Sequence, residues 1–145
     1  RGHVALRSSD MAVAPEIRFN FLEHPDDLRE MLEGTRILRQ LAAAPALQEV
    51  IAQEYLPGGD VASDKALEED IRARGYSIYH PCGTCRMGAD TKTAVVDSRL
   101  KVHGLTGLRI ADASVLPFVV TGNLNGPCMM IGQRASEIVL EDFVG

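Results

Sequence analysis

Neither a G-x-G-x-x-G turn nor a P-loop occurs in the 145 residues, so the chain alone has none of the glycine-rich cradles that usually bind a dinucleotide or a nucleoside triphosphate. Clustered basic charge is missing too. Fifteen Lys and Arg against 20 Asp and Glu leave a formal charge of −5, which argues against a nucleic-acid binder, because phosphate recognition needs a concentrated basic face. No apolar run approaches the roughly 20 residues that span a bilayer. The opening Arg1-Gly2-His3-Val4 has neither an initiator Met nor a signal-peptide core, and reads as a cut piece of a longer chain or as a mature end. Cysteine is scarce and odd in number: Cys82, Cys85 and Cys128 do not suit a disulfide-stapled secreted domain. A reducing compartment, the cytoplasm, is the expectation. Internal repeats and low-complexity tracts are absent as well.

What is present suits a folded domain, with 46% apolar and 24% charged residues. Val4 and Leu6, then Ile17, Phe19 and Phe21, alternate with other residues at the period of two and predict strands. Pro25-Asp26-Asp27 predicts a helix start, with proline pre-set for the first turn and two carboxylates at the positive end of the dipole. Leu28, Met31, Leu32, Leu38, Leu41 and Ala42 then recur at helical spacing up to Pro45. A shorter helix is expected from Pro45 to Glu54, ended by Pro57-Gly58-Gly59. Ser63 or Asp64 caps a third, with Leu67 and Ile71 on one face and Gly75 at its end. Near residues 76–80 the character changes without a linker composition. Tyr76 to Tyr79 is β-prone, Leu108-Arg109-Ile110-Ala111 reads as a short buried strand, and Asn125-Gly126-Pro127 opens a last helix through Met130, Ile131, Ala135, Ile138 and Val139.

Four stretches could carry chemistry: Tyr79 to Gly88, the Asp112-Ala113-Ser114 turn, Thr121 to Asn125, and the helix opening at Pro127. Cys82-Gly83-Thr84-Cys85 has thioredoxin-type spacing, and Arg86 could lower a thiol pKa. Gly83 and Gly88 disfavour the helix such a thiol wants, however, and zinc would need a second ligand pair, so structural cysteines are the simpler reading and no metal site is expected. His80 sits between a β-prone stretch and a Pro-Cys-Gly turn, where a side chain can be aimed into a cleft; a lone histidine is more often a satisfied surface or core residue than a catalytic one. His3, His24 and His103 take structural readings. Asn125 suits a helix cap, which leaves Asn123 free to point elsewhere. Met129 and Met130 read as core, and Glu68-Glu69-Asp70 as a solvated helix face.

Taken in order, Tyr79-His80-Pro81-x-Gly83-Thr84-Cys85-Arg86-Met87-Gly88, Val96-Asp97-x-x-Leu100-x-Val102-x-Gly104-x-x-Gly107-Leu108-Arg109-Ile110-Ala111-Asp112-Ala113-Ser114, Thr121 to Pro127 and Met129-Met130-Ile131-Gly132 resemble the glucose-methanol-choline oxidoreductase family, in its choline-dehydrogenase-like branch. The opening Arg1-Gly2-His3-Val4-x-Leu6-x-Ser8-x-Asp10 fits the same pattern.

That resemblance implies the C-terminal part of a longer FAD enzyme. It implies an α+β fold, an antiparallel sheet with flanking helices, in which residues 1–107 belong mainly to a substrate domain and residues 108–145 supply the last strand and helix of an FAD domain. The activity it implies is oxidation of a primary, choline-like alcohol by a dehydrogenase or oxidase. His80 matches the base that takes the hydroxyl proton, and Asn123 the group that hydrogen-bonds the alcohol oxygen. Asp112, Ala113, Asn125, Gly126, Pro127 and Met129 match segments that touch the flavin. The partners implied are a small alcohol and the N-terminal FAD-binding part, and a chain lacking that part is expected to self-associate. Cys82 departs from the apolar residue the pattern carries there. Two other classes stay open: a catalytically silent substrate-domain or assembly module, and a small thiol-disulfide protein.

Overall fold

Proline and capping residues set the helix boundaries in the first half of the chain. The computed structural model, which describes residues 1–144, divides into two compact units, Arg1–Tyr76 and Ser77–Gly145. The division falls where the composition changes.

In the first unit, β1 (His3–Ala5) and β2 (Glu16–Arg18) pair antiparallel, with His3 opposite Arg18, Val4 opposite Ile17 and Ala5 opposite Glu16. The expected strands are shorter than the alternation suggests. Asn20 and Leu22 take left-handed backbone angles, which end the extended run, so Phe19 and Phe21 lie beyond β2 and stack on each other at 4.9 Å.

Helix α1 spans Pro25–Ala42, with Pro25 in the first turn and Asp26 and Asp27 at the positive end. Its cap is His24, whose Nδ1 accepts the Asp26 N–H at 3.2 Å. No α1 residue is fully buried; Met31, Leu38 and Leu41 of the expected apolar stripe are exposed. Helix α2 is a single turn, Pro45–Gln48, and does not reach Glu54. Glu54 instead turns to Arg39, which donates to both carboxylate oxygens (2.8–3.2 Å) and to the Val61 carbonyl at 2.9 Å. That contact holds the 49–62 stretch in a loop. Helix α3, Asp64–Arg74, starts at the Ser63 hydroxyl, which accepts from Ala66, and buries Leu67 and Ile71.

The second unit is organised around Val96, Leu100, Val115, Ile131 and Ala135. The last two belong to α4, Asn125–Val144, which also buries Ile138. Ala113–Val115 form one 3-10 turn that seats Val115 in this core. Three expectations are corrected here. Tyr76–Tyr79 is not a strand, because Tyr79 sits at φ +63°, outside the β region. Leu108–Ala111 makes one antiparallel bridge, Lys101 to Arg109, rather than a strand, since Gly104 and Gly107, both at positive φ, turn the chain back within a few residues. Met129 and Met130 are exposed rather than core, because Ile131 and Ala135 are the α4 residues that pack with Val96 and Val115.

Candidate active site

The Pro81-to-Gly88 stretch runs without helix or strand of its own and takes its backbone partners from elsewhere in the second unit. The Cys85 N–H donates to the Ser114 carbonyl at 3.0 Å and the Met87 N–H to the Val115 carbonyl at 2.8 Å. Val95 donates to Arg86, and Gly88 to Val96. The stretch after His80 is therefore laced on one side to the Ala113–Val115 turn and on the other to the Val95–Val96 segment of the core. Gly83 enables the approach: its φ is +87°, and a Cβ there would lie 3.3 Å from the Leu116 carbonyl oxygen.

Asp112 lies at the start of the same turn, where one carboxylate oxygen accepts the Ser114 N–H at 2.8 Å as a cap. Its side chain is exposed and that of Ala113 half-buried. The turn is fixed by Val115, which is 1% exposed.

Helix α4 begins two residues before Pro127. Asn125 is thus its first residue rather than its cap; Leu124 occupies the cap position, its carbonyl accepting the Cys128 N–H at 2.8 Å. Leu124 is 4% exposed, so it pins the loop and leaves its neighbours Asn123 and Asn125 at the surface. Sequence reading passed over Leu124 between the two asparagines; an apolar residue directly before the helix start was the available signal. The N–H groups of Leu124, Asn125 and Gly126 precede the first intrahelical bond, Pro127 has none to offer, and Gly126 faces open space. A helix of 20 residues places about half a positive charge at such an end, so the donor set suits an electron-rich ring edge or an anion. Exposed Met129 is an apolar neighbour.

The structure thus joins the His80 stretch to Asp112–Ala113 by backbone bonds, and that turn to α4 through the core. His80 and Asn123 do not bond to each other, and neither side chain forms a hydrogen bond among the described residues. His80 is half-buried and Asn123 exposed.

Arg86 is directed away from the cysteines, its Nε donating to the Thr93 carbonyl at 2.6 Å. Burial pushes the Cys82 thiol up, opposite to what thiol catalysis needs. All three cysteines are free thiols. Among the described residues no group of His, Cys, Asp and Glu is arranged to hold a metal ion, and no helix is long and apolar enough to cross a membrane.

The far end of α4 is held by charge. Asp142 accepts from Arg99 at 2.6 Å, pairs with Lys101 at 2.8 Å and is contacted by Arg109. Bonds from Lys101 and Arg99 hold its carboxyl well below the usual carboxylate range. Arg99 also donates to Glu141 at 3.0 Å and to the Ile138 carbonyl at 3.2 Å.

The sequence matches the GMC oxidoreductase family over residues 1–132. It is 44% identical over 137 residues to an oxygen-dependent choline dehydrogenase of Cronobacter sakazakii, covering 94% of this chain and 24% of that protein. Among solved structures, a fungal aryl-alcohol oxidase superposes with a TM-score of 0.87 at 35% identity, over 99% of this chain and 24% of the oxidase. The formate oxidase of Aspergillus oryzae, solved as an R554A variant, does so with 0.84 at 30% identity, over 97% and 25%. The chain spans about a quarter of the length of the relatives it matches.

Proposed function

Because the chain belongs to the GMC oxidoreductase family, we propose that it is the C-terminal catalytic portion of an FAD-dependent enzyme oxidising a primary, choline-like alcohol to an aldehyde. The observation that carries this reading is the lacing of the His80 stretch to the Asp112–Ala113 turn, with His80 and Asn123 left free of internal partners. Family membership supplies the cofactor class, and FAD, when bound, accepts the hydride.

The remaining chemistry belongs to this chain. An alcohol carbon releases hydride readily only when its oxygen carries negative charge. The neutral imidazole of His80 takes the hydroxyl proton, and the Asn123 amide donates to the same oxygen as charge builds there. Asp112, Ala113, Asn125, Gly126, Pro127 and Met129 hold the flavin; Asn125 and Gly126 contribute unpaired N–H groups, and Met129 an apolar surface. On this reading residues 1–107 belong mainly to the substrate domain and residues 108–145 complete the FAD domain. Its partners are the small alcohol and the N-terminal FAD-binding part, and a reducing compartment, the cytoplasm, is part of the same reading, supported by the three free thiols.

The test replaces the matching quarter of the Cronobacter sakazakii relative with this chain and mixes the yellow, folded chimera anaerobically with a panel of primary alcohols including choline. Bleaching of the flavin absorbance by one of them is expected. A folded, flavin-loaded chimera that none of them bleaches would overturn the reading.

A further inference from the structure

The chain has three asparagines, Asn20, Asn123 and Asn125, and their surroundings differ. Asn20 is half-buried and followed by Phe21, and its amide donates to the Arg1 carbonyl at 3.1 Å. Asn123 is exposed but precedes the buried, branched Leu124. Asn125 is exposed, its carboxamide has no hydrogen-bond partner among the described residues, and the next residue is Gly126. Gly126 has no Cβ and faces open space, and its N–H lies ahead of the first intrahelical bond, from Cys128 to the Leu124 carbonyl. The backbone nitrogen that follows the Asn125 side chain is thus neither tied down nor shielded. Both residues belong to the first turn of α4, where helices fray, so the rotation at Asn125 that brings nitrogen and carboxamide together breaks only end-turn bonds.

We propose that Asn125 is a site of spontaneous covalent modification. The Gly126 nitrogen attacks the side-chain carbonyl carbon of Asn125. A C–N bond forms, the bond to the amide nitrogen breaks, and that nitrogen leaves as ammonia, carrying the Gly126 proton. Water then opens the cyclic imide at either carbonyl and leaves aspartate or isoaspartate. No oxidant or reductant takes part. Either product puts a negative charge at the positive end of α4, beside the donors assigned above to the flavin, and isoaspartate also lengthens the backbone there. The modification follows from the Asn125-Gly126 pair and does not rest on the alcohol chemistry.

Peptide mapping by mass spectrometry tests it without reference to turnover. The 145-residue chain, its helix content followed by circular dichroism, and the flavin-loaded chimera with the Cronobacter sakazakii relative are held at mildly alkaline pH. Conversion of each asparagine is followed with time. In the chain, Asn125 should convert roughly tenfold faster than Asn20 or Asn123, since only Asn125 is followed by a residue without a Cβ. Gly126→Ala suits a helix and has room for its methyl group, and should bring Asn125 down to the rate of the other two. Equal rates at all three asparagines overturn the proposal, as does a Gly126→Ala chain that converts Asn125 as fast as its parent. In the chimera, Asn125 should convert more slowly than in the chain, because the reading above seats residues 125 and 126 against the flavin. Equal conversion of Asn125 in chain and chimera, still ahead of the other two asparagines, would count against that seating alone.

Discussion

A methyl group added at Gly83 would meet two obstacles at once. It would require an L-residue to hold φ +87° and would bring a carbon to 3.3 Å from the Leu116 carbonyl. Gly83→Ala should therefore cost about 1–2 kcal/mol from the backbone conformation alone. Paired urea titrations should show the lower midpoint; equal midpoints would mean that the Pro81-to-Gly88 stretch is not held against the turn. Catalytic predictions belong to the flavin-loaded chimera. His80→Ala should slow anaerobic flavin reduction roughly 10²- to 10⁴-fold and flatten its pH dependence, because the proton acceptor is lost. Asn123→Ala should cost less, roughly 3 kcal/mol at most, since water can partly replace a neutral donor. Cys82→Ser should leave the rate nearly unchanged. Stopped-flow reduction of the three variants checks the order; parental rates in both His80→Ala and Asn123→Ala would remove those residues from the site.

Helix α4 is the element on which most of the candidate site depends, and its two ends are fixed by different physics. Leu124 anchors the start by burial, and Asp142 the end by three cations. A carboxyl with a depressed folded-state pKa stabilises above its unfolded value, and that stabilisation fades as the pH falls through the folded value. Asp142→Asn should accordingly lower the Tm at neutral pH and low salt. The gap from the parent should narrow below about pH 4 and in high salt, which screens exposed pairs. Thermal melts across pH and ionic strength would reveal it, and a pH-independent gap would mean that Asp142 acts by packing. Much of the element structure was legible in the sequence: Pro25, Pro45, Ser63 and Gly75 act locally, each through its own backbone or hydroxyl chemistry. The His24 cap was not, because an imidazole serves as a cap only when its unprotonated nitrogen faces the next turn. Nor was the exposure of Met129 and Met130, since α4 is apolar on more than one side and only long-range packing selects the buried one.

At the scale of the molecule, several apolar surfaces lie bare: the Val4–Ile17 face of the ribbon, Leu38 and Leu41 on α1, and Leu140 and Phe143 on α4. The 145-residue chain alone should therefore self-associate. Light scattering over a concentration series checks this, and a monomer at every concentration would mean that these surfaces are tolerated in water. Without a G-x-G-x-x-G turn the chain should also fail to bind FAD at micromolar concentration, as flavin fluorescence would report. The site was legible only in part for a related reason. Resemblance to the family's motifs singled out His80, Asn123 and the Asp112 turn, but the bonds from Cys85 and Met87 to Ser114 and Val115 join residues almost thirty positions apart, and single bridges leave no periodicity to read.

Those same bonds decide how this chain can be recombined with its relatives. A crossover between residues 97 and 111 would draw the two halves of one hydrogen-bonded seam from different parents, along with the two sides of the Val96–Val115 packing. A crossover at the Tyr76–Ser77 division leaves the seam intact. Libraries shuffled among GMC sequences should therefore yield folded members chiefly when residues 77–144 are inherited as one block, so the seam sets the smallest unit of this region that can change hands.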